Sequence, residues 1–146
     1  MKIFYDVINK GKGFMILTCV MMILMVVPAS AKTSKWSFTM NRRTVDGSEN
    51  GRFYKIGKGR NVYISGTINA IQKRKNPGPA TGLTVYLMRS RIGVDEDCGS
   101  YYIGKGNVKF SKKKIGKTKK SDNEYYLLFD KGLDNYKLKA EGKLEY

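Results

Sequence analysis

Residues 136–146 read YKLKAEGKLEY and alternate without a break. Tyr136, Leu138, Ala140, Gly142, Leu144 and Tyr146 fall on one side, and Lys137, Lys139, Glu141, Lys143 and Glu145 on the other. Successive side chains of an extended chain point to opposite faces, so this stretch predicts a strand with one face in a core and the other in water. Residues 60–71 repeat the pattern: Val62, Ile64, Gly66, Ile68 and Ala70 oppose Tyr63, Ser65, Thr67 and Asn69. Their β-branched content and Gly66 disfavour a helix.

The same period marks a first short strand in which Trp36, Phe38 and Met40 alternate with Ser37, Thr39 and Asn41. Residues 83–88 and 125–129 are apolar or aromatic on both faces, as in strands near the middle of a sheet or under a covering loop. Tyr101 to Ile103 and Val108 to Phe110 are shorter candidates. Turn signals separate these runs: Asp46-Gly47, Asn50-Gly51, Gly57 and Gly59, Asn76-Pro77-Gly78-Pro79, Gly104 and Gly106, Asp122-Asn123, and Lys131-Gly132 through Asp134-Asn135. Seven or eight short strands without a convincing helical window predict an all-β fold, an antiparallel two-sheet β-sandwich that includes the jelly roll among its arrangements. The Asn76 to Pro79 stretch is expected to be a loop, since either side of it is too small to bury its own core.

The other end of the chain carries an address. Lys2, Lys10 and Lys12 form a basic start, residues 14–27 are uncharged, and Ala29-Ser30-Ala31 supplies small residues for cleavage. The apolar run stops at Pro28, short of the roughly 20 residues of a spanning helix. The expectation is a cleavable signal peptide over residues 1–31 and a single secreted domain over residues 32–146. Cys19 lies in the apolar run without the small residue before it that lipidation expects.

The whole chain has 28 basic and 12 acidic residues. Removal of Lys2, Lys10, Lys12 and Asp6 with the signal leaves 25 against 11, a net charge of +14. Such charge attracts polyanions over a range set by salt, which makes lipid head groups, wall polymers and nucleic acid physical candidates. Lysine outnumbers arginine by 21 to 7. Lysines are hydrated point charges suited to diffuse attraction, whereas arginine forks suit phosphate or base-edge reading. The sharpest candidate is residues 109–120, KFSKKKIGKTKK, in which Lys109, Lys112, Lys113, Lys114, Lys117, Lys119 and Lys120 form a positive strip, as a loop or an edge strand. Lysines also blunt exposed edges against aggregation. Arg42-Arg43 and Lys73-Arg74-Lys75 would extend the strip if the fold brought them near. Tyr63, Tyr86, Tyr101, Tyr102 and Tyr126 are the tyrosines expected to face outward by alternation.

There is no histidine, which removes Ser-His-Asp and Cys-His catalysis and most zinc sites. Cys98 is the one cysteine after the signal, so no disulfide staples the domain, and its options are burial, exposure or an intermolecular bridge. The neighbouring Asp95-Glu96-Asp97 would oppose thiolate formation. These three acids are the weak candidates for a Ca²⁺ site, without EF-hand spacing. No cofactor is expected.

In the order of its segments the chain resembles small secreted β-sandwich proteins of Gram-positive bacteria and, distantly, the pre-peptidase C-terminal type of domain. The segments are Val62-Tyr63-Ile64 after a basic turn, Leu83-Thr84-Val85-Tyr86-Leu87, Glu124-Tyr125-Tyr126-Leu127-Leu128-Phe129, and Tyr136-Lys137-Leu138 after a Gly- and Asn-containing turn. Asn123-Glu124 stands where the group has a glycine before the paired tyrosines. The resemblance implies a fold and secretion and no shared activity. The functional expectation is a noncatalytic protein that associates with an anionic wall polymer or membrane surface of the cell envelope, with nucleic acid as a lesser partner. The alternative is a secreted bacteriocin-like antagonist or inhibitor with a protein target.

Overall fold

The closing alternation is a strand, and its apolar side lies in the core: Leu138, Ala140 and Leu144 are buried. The computed structural model describes residues 31–75, 78–120 and 122–146, with Asp122 and Asn123 described by their backbone. The expected export segment, Cys19 within it, and Asn76-Pro77 lie outside the described residues. Ala31–Tyr146 is a compact unit of nine strands: β1 Thr33–Met40, β2 Thr44–Asp46, β3 Tyr54–Ile56, β4 Asn61–Gln72, β5 Gly82–Arg89, β6 Glu96–Lys105, β7 Val108–Lys117, β8 Asp122–Lys131 and β9 Tyr136–Glu145.

The expected all-β sandwich of two antiparallel sheets is what forms. One sheet runs β1-β9-β4-β7; the other runs β2-β8-β5-β6, with β3 also on β8. β2 and β3 share one edge of β8, since Val45 lies opposite Phe129 and Tyr54 opposite Tyr125. They act as one edge strand interrupted by residues 47–53. Counted so, the eight strands stand in the order 1-8-3-6 and 2-7-4-5, the interleaved Greek keys of a jelly roll.

The core shows why two glycines occupy apolar positions of the pattern. Trp36 lies opposite Gly142, which lies opposite Gly66. A Cβ at Gly66 or Gly142 would come within 2.6 or 2.5 Å of the indole and nearer still to the carbonyl oxygen of Glu141 or Ser65, so the glycines admit both the ring and the close approach of β4 and β9. Phe110, Phe129 and Phe38 pack around it, with ring centroids 6.3, 5.3 and 5.9 Å away.

Two strands are longer than their apolar runs suggest, and bulges are the reason. In β6, register shifts fall at Gly99 and Gly104, whose φ values of 134° and 129° are natural only for glycine. In β7, shifts fall on either side of Lys113 and Lys114. There Lys112 takes a φ of 44° and its N–H donates to Ser65 Oγ at 2.8 Å.

Candidate polyanion-binding face

β7 is one of the two edge strands of the four-stranded sheet, bonded on one side to β4, and the β6 backbone at Cys98 and Gly99 closes on it near Ile115 and Gly116. Phe110 and Ile115 enter the core, while Lys109, Lys112, Lys113, Lys114 and Lys117 are exposed along the strand. Lys119 and Lys120 are exposed just beyond its end. The bulges leave Lys112 and Lys114 on the side of Tyr63, and Lys113, opposite the buried Ile64, stays in water at the margin of the edge. Lys112 Nζ sits 5.8 Å from the Tyr63 ring centroid, a cation–π contact from the neighbouring strand. Lys119 instead binds Glu96 at 2.8 Å, and this hydrogen bond raises its pKa.

Residues directly opposite one another on paired strands point to the same side of a sheet, so the register maps the outer face. Lys35 lies opposite Lys143, which lies opposite Ser65 beside Lys112. The adjacent rows place Glu145 and Tyr63 beside Lys114, and Glu141 and Thr67 beside Lys109. Thr39 and Asn69 flank Lys139. Of the two acids on this face, Glu145 binds Lys143 at 2.9 Å, and that bond lowers the Glu145 pKa. Lys109, Lys112, Lys114 and Lys117 and the polar side of the closing strand are thus parts of one basic face, roughly 14 Å across at about 4.8 Å per strand, while Lys113 lies opposite the buried Ile64 on the inner side of the edge. Sequence reasoning found both parts and missed their union, because strand order is not written in a local pattern.

The other basic pairs lie elsewhere. Lys73 binds the Asn41 carbonyl through Nζ, and its N–H donates to Asn135 O at 2.9 Å. This places Arg42, Arg43 and Lys73 where β1 and β4 finish, the end of the sheet opposite Lys117. They do not extend the strip towards Lys119 and Lys120.

The three adjacent acids have separate tasks. Asp95 accepts from Tyr126 Oη at 2.6 Å and from the Arg91 N–H at 2.9 Å, and these bonds lower its pKa. Glu96 binds Lys119 and Arg89, which lower its pKa, while Asp97 accepts from the Gly99 N–H. Among the described residues no group of three or more His, Cys, Asp or Glu side chains is arranged to hold a metal. Cys98 is buried and free; burial, then Glu96, pushes its thiol pKa up.

Tyr101 differs from the expectation that it faces outward, and Tyr126 faces outward but is covered. Tyr101 packs against the core, because the bulge at Gly99 resets the alternation of β6. Tyr126 is on the outer side of β8 but only 2% exposed. Phe53, from the segment interrupting the edge strand, covers it edge-on at 6.0 Å. Burial and then the Asp95 hydrogen bond raise its pKa. Tyr102 is exposed, and Tyr63 and Tyr86 are half-buried.

A cleft of about 320 Å³ opens beside the interrupted edge strand, over Trp36, Phe38 and Phe129. Asp46 and Glu49 both line it. Asp46 Oδ1 accepts from the Ser48 N–H and Oγ at 2.8 and 2.7 Å, which shapes the turn, and Arg52 bonds the Ser37 carbonyl.

Fold and face together define a basic jelly-roll sandwich with a lysine-lined edge. No protein-family model, curated protein or solved structure matches the chain.

Proposed function

We propose that this is a secreted, noncatalytic β-sandwich protein that associates with anionic material of a cell envelope through the β7 lysines and the sheet face they border. The observation that supports it best is the joining of Lys109, Lys112, Lys114 and Lys117 to Lys35, Lys139 and Lys143 on one solvent-facing sheet. The export signal and the resemblance to small secreted sandwich proteins agree with an envelope location. Lysine ammonium groups on a flat face favour a flexible polyanion whose charges slide across them, in preference to base reading by arginine forks.

The test is retention of the 31–146 segment, a compact unit, on isolated cell walls, anionic vesicles and nucleic acid. Replacement of Lys112, Lys113, Lys114, Lys117, Lys119 and Lys120 by Gln should abolish salt-released binding and leave the circular dichroism spectrum unchanged. Unchanged retention of that variant would refute the reading. Saturable binding to a protein target that ignores salt would favour the antagonist instead.

A further inference from the structure

Most large apolar side chains on the surface are solitary, which is ordinary. The exception is the loop between β5 and β6, where Ile92 is fully exposed (108%) and Val94 nearly so (83%). Gly93 between them has a φ of 98°, a turn conformation that favours glycine. The loop's base is pinned: the Ser90 N–H donates to Glu124 O at 2.9 Å, the Arg91 N–H to Asp95 Oδ1 at 2.9 Å, and Tyr126 Oη to Asp95 Oδ2 at 2.6 Å. Arg89 and Glu96 close it with an ion pair at 3.1 Å. The acidic run is therefore the clasp of an apolar finger.

Cations surround this end of the sandwich. The 57–60 loop joins the end of β7 through Gly59 N–H to Thr118 O and Thr118 N–H to Arg60 O, each 2.9 Å. Lys119 joins it to Glu96 at the start of β6. Lys58, Arg60, Arg91 and Lys120 are exposed and have no ion pair among the described residues. Asp95, Glu96, Asp97 and the exposed Glu124 reduce the net charge here, so long-range attraction falls to the lysine face and the finger contributes contact.

We infer that the Ile92-Gly93-Val94 finger enters the interface of an anionic lipid bilayer, with the neighbouring Lys and Arg side chains at head-group level. The inference rests on the envelope-binding reading and narrows its partner to lipid. A protein partner fits poorly, because two convex side chains fall far below the about 800 Å² per side of a standard interface. A bilayer accepts a convex apolar tip without complementary shape and rewards flanking cations.

Vesicles of phosphatidylglycerol with phosphatidylcholine are the probe, and inorganic polyphosphate is the soluble anion without an apolar phase. The Ile92→Ser/Val94→Ser double variant should bind polyphosphate as the parent does and anionic vesicles at least about tenfold more weakly. Trp36, the single native tryptophan, is buried, so its emission is a constant background. Ile92→Trp should add emission that shifts to the blue on vesicles and not on polyphosphate. Unchanged vesicle affinity of the double variant, or unshifted emission from bound Ile92→Trp protein, overturns the finger. Parent protein that binds polyphosphate and ignores vesicles also overturns it and leaves the lysine face standing. Vesicle binding that needs Ile92 and Val94 but survives loss of the six lysines sustains the finger and removes the face.

Discussion

Asp134 shows what single side chains contribute to holding the ends of the sheets. It forms an ion pair with Lys131, both side chains being nearly inaccessible at 3% and 2%. Burial opposes its ionisation, but hydrogen bonds from Lys131, Thr81 and the Tyr136 N–H outweigh this and bring its pKa down to about 2. A carboxylate lowered in the folded state stabilises above its unfolded pKa, and that contribution fades as pH falls towards the folded value. The urea midpoint should therefore drop between about pH 5 and pH 2, with this group contributing on the order of 1–2 kcal/mol. Asp134→Asn should cost about 3 kcal/mol at neutral pH, because it leaves Lys131 buried without its counter-ion. A midpoint that did not change in that variant would mean that the Asp134–Lys131 pair adds nothing to stability. Gly142→Ala tests the close approach at this point: the new Cβ meets the Ser65 carbonyl of β4 as well as Trp36, and urea unfolding should show a loss of about 1–3 kcal/mol.

At the level of strands, legibility followed the regularity of the backbone. β4 and β9 were read almost to their ends because they run unbroken and each buries one face. β6 and β7 were read as three residues each, since Gly99, Gly104 and Lys112 reset the alternation and a bulge has no periodic signature. β2 and β3 were missed, being three residues long and fixed by pairing with β8. The double-sided apolar character of residues 125–129 was readable as a covered strand, and Phe53 on Tyr126 is part of that cover. Lys112 gives the element its own test. A left-handed φ costs a non-glycine residue about 1–2 kcal/mol, so Lys112→Gly should raise the thermal midpoint while slightly weakening anion binding. A lower midpoint would mean that the Tyr63 contact outweighs the backbone strain.

For the whole molecule, the jelly roll converts two separate sequence features into one surface. Alternation shows that the closing strand has a wet, lysine-rich side, and composition shows the 109–120 run. Only the order β1-β9-β4-β7 sets them on one sheet with β4 between them. The same order sends Arg42, Arg43 and Lys73 to the far end, so the molecule contains its own control for bulk charge. The decisive measurement is the salt-titrated retention of two variants that each lose five positive charges. One replaces Lys112, Lys114, Lys117, Lys139 and Lys143 by Gln; the other replaces Arg42, Arg43, Lys73, Arg74 and Lys75 by Gln. On anionic vesicles and isolated cell walls the first should be released at far lower salt than the parent, and the second should be retained nearly as well as the parent. Equal weakening of both would contradict the account, since binding would then follow net charge and the face would have no part in it.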